Sequence, residues 1–345
     1  MAKKTEEKKS LEDVMKELDK TYGKGSVIFG DKAEKCTDVV STGSLSLDIA
    51  TGIGGIPVDG KIIEVYGWES SGKSTLIQTI IGNYQKQYPD RKVVLVDGEG
   101  SLDSEYAENL GVNLAEILLI QLDEGGGEAA YNKVAALVET GEIGLIVYDS
   151  YNSLKPKKLL DGESGQFGIG LHAKLMDDAV TKSNADGMKY KTTSIYIGQL
   201  REKIGVMFGS PETTQGGNAL RFYAHMRLKT SRSLTKENST EEDGQKTGNL
   251  HKVNVEKNKL AAPFKKAEYN ITYGEGIDKY TEIINIGHDL GMFKIFGKSI
   301  TVEGEKHETT DFLQILRDNP ELFQKYRTDI LNKTIFKKEE ENVTG

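Results

Sequence analysis

Residues 61–66 read KIIEVY, and the nine that follow read GWESSGKST. Beyond them Leu76, Ile77, Ile80, Ile81 and Tyr84 recur at helical spacing. An apolar strand that passes through a glycine-rich loop into an apolar-faced helix leaves few folds open. The loop has the pattern G-x-x-x-x-G-K-[ST], which in a strand–loop–helix setting builds a phosphate cradle. Gly67 and Gly72 let the main chain curl around anionic oxygens. The loop N–H groups converge on the anion, and the helix N-terminus adds its positive end. Lys73 reaches the β- and γ-phosphates, and Ser74 offers its hydroxyl to Mg²⁺. A chance glycine-rich turn would lack this setting. The candidate nucleotide-binding residues are thus Gly67, Glu69, Ser70, Ser71, Gly72, Lys73, Ser74 and Thr75.

Further strand and helix patterns alternate along the chain. KVVLVD (92–97), ILLIQL (117–122), GLIVYD (144–149) and TSIYIG (193–198) are short apolar runs. Helical stretches lie at 104–110 and from Gly127. Continuously apolar strands alternating with helices predict a parallel sheet covered on both faces. A hairpin-like pair, Tyr223–Thr230 and Lys252–Asn258, extends it, and the polar stretch 231–249 reads as an exposed loop. The fold class expected is α/β: a P-loop core with a mostly parallel twisted sheet flanked by helices. To this are added a short N-terminal helix and a small C-terminal α/β domain. The divisions predicted are 1–36, an arm and helix; 37–275, the core; and 276–345, a small unit with a helix near 309–333 and a tail. Leu11, Val14, Met15 and Leu18 make the N-terminal helix amphipathic, ended by Gly23 and Gly25. It is too short for a core of its own, so its apolar stripe must dock on this chain or on a neighbour.

With 37% hydrophobic and 28% charged residues among 345, the composition is that of a soluble globular protein. No run approaches the roughly 20 apolar residues of a membrane span, and MAKKTEEKKS lacks the apolar stretch of a secretory signal. One cysteine, Cys36, excludes an internal disulfide and fits a reducing cytoplasm; one cysteine and five scattered histidines argue against a Cys/His zinc site. The net charge of −8 argues at first against a nucleic-acid partner. Residues 95–149, however, hold twelve acidic residues and one basic one, a local −11 that leaves +3 for the rest.

Asp149 closes GLIVYD, at the carboxyl edge of the predicted sheet beside the cradle. That suits a carboxylate acting on Mg²⁺, and also a simple strand-end cap. Asp97, Glu99 and Asp103 follow another strand end in VDGEGSLD. A carboxylate there can orient an attacking water or cap the helix near Ser104, and the residues alone favour neither Asp97 nor Glu99.

With these residues assembled, the sequence resembles the RecA-type recombinases of bacteria and their phages, from about Leu11 to about Ile286. STGSLSLDIATGIGGIP (41–57) looks like the segment leading into that family's first core strand. GWESSGKST looks like its phosphate loop, with Trp68 where proline is usual. IGVMFGSPETTQGGNALRFYA (204–224) resembles its second DNA-binding loop, and KNKLAAPF (257–264) its intersubunit nucleotide-contact segment. The resemblance implies a DNA-dependent ATPase that forms ATP·Mg²⁺-gated helical homo-oligomers on single-stranded DNA. These pair with duplex DNA and exchange strands, in the cytoplasm and with no membrane partner. It implies that Glu99 positions the hydrolytic water, that Asp103 and Tyr106 contact adenine, and that Gln199 senses the γ-phosphate. Lys257 and Lys259 would reach ATP on the neighbouring subunit, with Arg221 and Phe222 at the filament interface. A ring-shaped helicase motor and a non-exchanging DNA-coating filament are the rival readings; the 204–218 motif argues against the first.

The stretch 200–218 has no helical or strand period and mixes cations, small polar groups and apolar residues. Arg201 and Lys203 can hold phosphates, with loop amides beside them. Ile204 and its apolar neighbours can wedge between bases. Gly216 and Gly217 permit close backbone approach, Asn218 is one of the small polar groups, and Gly205 belongs to the same candidate DNA-binding set. The resemblance puts a first DNA loop at 161–170, with Ile169 as an inserting residue and Lys174 and Lys182 following. It also marks departures: Gly198 stands where asparagine is common, and Glu202 puts a negative charge into the DNA loop.

Overall fold

The computed structural model describes residues 9–32, 38–162, 170–202, 212–214, 217–233, 235, 239–242 and 245–336. The chain divides into two compact units, Met1–Thr37 and Asp38–Gly345. In the first, α1 (Leu11–Tyr22) begins at Ser10, whose hydroxyl accepts from the Asp13 amide at 3.1 Å. It ends at Gly23, whose φ of 101° suits a residue without Cβ. No residue of α1 is buried.

The second unit opens with α2 (Leu45–Thr51), β1 (Ile62–Gly67), α3 (Lys73–Gln87), β2 (Lys92–Asp97) and α4 (Ser104–Asn109). It continues with β3 (Ile117–Gln121), α5 (Gly126–Val138), β4 (Ile143–Asp149), α6 (Leu171–Tyr190) and β5 (Thr193–Glu202). Then come β6 (Glu212–Thr214), α7 (Ala219–Tyr223), β7 (Met226–Arg232), β8 (Gln245–Asn258) and β9 (Lys266–Thr272). Strands β7, β1, β5, β4, β2 and β3 lie side by side in that order, all parallel. β8 and β9 extend the sheet antiparallel beyond β7.

The apolar runs of the inner strands follow from burial on both faces, whereas Leu118 and Leu119 of the edge strand β3 are exposed. Ile63 and Val65 pack with Leu76, Ile77 and Ile80 of α3. Ile62, Val94 and Val96 point the other way, into a second cluster with Val134 of α5 and Val180 of α6.

Two expectations are corrected. The polar stretch 231–249 is not simply a loop: Ser239–Glu242 pairs antiparallel with the start of β8. Its polar residues hide the period from inspection, although Asp243–Gly244 is a hairpin-favouring dipeptide. The single helix expected near 309–333 is two. After α8 (Lys279–Asp289) and the antiparallel strands β10 (Phe293–Phe296), β11 (Ser299–Val302) and β12 (Glu305–Glu308) come α9 (Thr309–Asp318) and α10 (Pro320–Leu331). The break is chemical: Asn319 accepts from the Leu322 amide at 3.0 Å, and Pro320 takes the first helical turn. The helices and the strands β10 and β11 share a core with Leu45 of α2.

Candidate functional site

β1 ends at Gly67 and α3 begins at Lys73, so the loop sits at the carboxyl edge of the parallel strands. A Cβ at Gly67 would lie 2.3 Å from Thr230 Oγ1, and one at Gly72 2.8 Å from His251 Nδ1. Both positions therefore need glycine. Gly72 starts α3 in the left-handed region, φ 83°, with no side-chain cap, which leaves the amides of the first turn to an anion. From beneath, Ser71 Oγ meets Thr230 Oγ1 at 2.7 Å, and His251 Nδ1–H donates to the Ser71 carbonyl oxygen at 3.1 Å.

A cavity of about 330 Å³ opens here. It is lined by the loop from Ser70 to Thr75 and by Tyr106, Arg232, His251, Ile271 and Tyr273. Tyr106 Oη lies 2.9 Å from Thr75 Oγ1. Asp103 does not line this cavity; it caps α4, accepting from the Tyr106 amide at 3.0 Å. Arg232, His251, Ile271 and Tyr273 were not singled out from sequence. They arrive from β7, from β8 and from the end of β9 and just beyond it, and only the strand order brings them to the loop.

The acidic cluster lies at the ends of β2 and β4. Asp97 Oδ1 accepts from the amides of Glu99 (3.2 Å), Gly100 (2.7 Å) and Ser101 (3.3 Å), so it is committed to shaping the turn. Glu99 is exposed and accepts from Ser150 Oγ at 2.6 Å and from Gln199 Nε2 at 3.0 Å. Asp97 and Glu99, equivalent in sequence, are thus separated by geometry. Burial, then Glu99 and Asp97, push the Asp149 carboxyl up to about 6, while Lys73 pulls it down. Burial lowers Lys73, against the pull of Asp149, Glu99 and Glu69. Its ammonium donates to the carbonyl oxygens of Trp68 (2.8 Å) and Gly67 (3.2 Å).

β5 leads away from this site. Gln199 lies on it, and the three residues that follow, Leu200, Arg201 and Glu202, pair antiparallel with Thr214, Thr213 and Glu212 of β6. The stretch proposed to meet DNA therefore has a β-hairpin stem carrying Arg201. Lys203, Ile204, Gly205 and Gly216, and Ile169 of the first loop, lie outside the described residues. Gly217 and Asn218 are exposed, and a Cβ on Gly217 would lie 3.0 Å from Ala173 Cβ of α6. Lys174, one residue on, is exposed, whereas Lys182 pairs with Asp186 at 2.8 Å. The end of one candidate loop thus adjoins the helix that follows the other.

Lys257 and Lys259 do not line the cavity. Lys257 donates to the carbonyl oxygens of Arg221 (2.6 Å) and Phe222 (2.9 Å), and Lys259 to that of Phe222 (3.2 Å). Burial, then Lys259 and Arg227, lower the Lys257 ammonium. Arg221 is exposed and Phe222 is 72% exposed. The lysines expected to act across an interface and the residues expected to form one therefore share a single patch.

The RecA N-terminal domain family matches residues 9–278. Protein RecA of Streptomyces venezuelae is 42% identical over 335 residues, which cover 95% of this chain and 85% of that one. Protein RecA of Streptococcus mutans is 42% identical over 321 residues, covering 92% and 82%. No helix among the described residues is long and apolar enough to cross a membrane. With the phosphate loop, the parallel sheet and the hairpin already in place, these matches establish that the chain belongs to the RecA family of DNA-dependent ATPases in homologous recombination and DNA repair.

Proposed function

We propose that ATP occupies the 330 Å³ cavity, held by the loop amides, Lys73 and Thr75, with Tyr106 and Tyr273 offering faces to the base. The uncapped start of α3 and the glycine-only backbone fit a polyphosphate. Ser74 and Asp149 offer the hard oxygen donors that Mg²⁺ takes, and the ion would neutralise charge on the phosphate oxygens. Glu99 orients the attacking water. Gln199, in contact with Glu99, carries the state of the site along β5 into the DNA hairpin. That contact is the observation that carries the reading, because one strand holds both the glutamine that touches Glu99 and the hairpin stem.

Lys257 and Lys259 form a crowded pair of cations, and an anion presented by a neighbouring protomer relieves their repulsion. Assembly of the protomers into a filament on single-stranded DNA, with α1 docking on the adjacent copy, completes each site. Base pairing then supplies the match to duplex DNA. The setting proposed is the cytoplasm.

The test is ATP hydrolysis with and without single-stranded DNA at two salt concentrations. Hydrolysis should rise with DNA and the DNA effect should fall steeply with salt. Lys73→Ala should lose about a hundredfold or more. Joint molecules should form with homologous duplex and not with heterologous duplex. Unstimulated hydrolysis, or pairing indifferent to homology, would overturn the reading.

A further inference from the structure

Trp68 is the only tryptophan in the chain, and it lies within the phosphate loop. Its indole Nε1–H donates to Glu212 Oε1 at 3.1 Å. Glu212 begins β6, the returning strand of the hairpin, and its other carboxylate oxygen is paired with Lys229 of β7. Lys229, followed by Thr230 beneath Ser71, anchors the carboxylate close to the loop. The main chain of Trp68 is tied inward as well, since its carbonyl oxygen accepts from Lys73 Nζ at 2.8 Å. One residue thus touches the phosphate-binding lysine with its backbone and the DNA hairpin with its side chain.

Gln199, on the outgoing strand of the same hairpin, is held by its hydrogen bond to Glu99. The stem is therefore held on both strands. Across the stem Glu202 stands directly opposite Glu212, a like-charge pair that weakens the pairing unless one partner is neutralised elsewhere. Lys229 supplies the opposite charge and the Trp68 indole a hydrogen bond, and the two hold the Glu212 carboxyl below its ordinary range.

We infer that Trp68 is a positioning residue forming a second link between nucleotide and DNA, through Lys73, the Trp68 backbone, its indole and Glu212, parallel to the Glu99–Gln199 contact. Phosphate oxygens compete with the Trp68 carbonyl for the Lys73 ammonium. Moving that carbonyl moves the indole, and with it the donor that steadies Glu212. By reciprocity, DNA seated on the hairpin alters nucleotide affinity by the same factor. The inference rests on the reading above, that ATP binds the loop and single-stranded DNA the hairpin.

The experiment measures ATP affinity of the full chain with and without an oligothymidylate, in wild type, Trp68→Phe, Glu212→Gln and the double variant. Both single substitutions are conservative in shape. The ratio of the two affinities should fall about fivefold or more in each single variant. The double variant should be no lower than the singles, because both break one path. Trp68 emission supplies a second readout: DNA should change it in wild type, and much less in Glu212→Gln. An unchanged ratio in either single variant, or additive losses in the double, overturns the link. Wild type that binds ATP and DNA with no coupling also overturns it. Wild type that binds no ATP, or no DNA, instead overturns the reading on which it rests.

Discussion

A Cβ added at Gly198 would lie 2.6 Å from the Tyr151 hydroxyl oxygen and 2.8 Å from its ring. Tyr151 is fully buried and donates to Glu64 Oε1 at 3.1 Å, and Glu64 is paired with Arg227. The glycine before Gln199 is therefore the counterpart of a tyrosine pressed against β5. Gly198→Asn should destabilise the protein by about 1–3 kcal/mol through overpacking, and the loss should shrink in a Tyr151→Ala background. Urea midpoints of the four proteins check it: an equal penalty in both backgrounds would disprove the explanation. The same scale separates Asp97 from Glu99. Both are acidic and two residues apart, so sequence leaves them equivalent; three amides claim one and a glutamine side chain the other.

At the scale of elements, what was legible was what is local. The β1–α3 junction carries its own motif, and strands buried on both faces appear as continuous apolar runs. The antiparallel Ser239–Glu242 strand is polar along its length and has no such signature. The α9–α10 break was readable in principle, because Asn319–Pro320 is a helix start inside a helical pattern. Lys257 and Lys259 had no signal in their own segment, where they read as exposed strand charges; on the residues alone their meaning depends on α7, more than thirty positions earlier. If these lysines serve a neighbour's nucleotide, Lys259→Ala should lose about tenfold or more of the DNA-dependent hydrolysis. Mixing it with Lys73→Ala should restore part of the activity, since each protein retains the half the other lacks. Hydrolysis of the mixture no greater than that of the two proteins alone would refute a shared site.

At the scale of the whole second unit, the C-terminal elements are fastened to the core at α2. Glu282 of α8 accepts from Ser44 Oγ (2.8 Å) and from the amides of Leu45 and Ser46 (both 3.0 Å). Arg327 of α10 donates to Asp48 at 2.7 Å. Burial pushes the Glu282 carboxyl from 4.5 up to about 8, against those three donors and with Asp48 adding to the rise. Between these values the folded protein holds a proton that the unfolded chain has released, so stability falls as pH rises through the window. The slope is at most about 1.4 kcal/mol per pH unit for this group, and burial raises Asp48 in the same direction. Urea midpoints from pH 5 to 8 should therefore decline, and less so in Glu282→Gln; an unaltered slope would contradict the assignment. The fastening also bears on how deletions are interpreted. A chain ending at residue 275 would strip α2 of the carboxylate on its first amides, leave Asp48 without its guanidinium and expose Leu45 to water. Recombination defects of such a truncated protein would then mix the loss of whatever the C-terminal elements do with a weakened nucleotide-binding core, and a thermal melt must accompany the assay before the two are told apart.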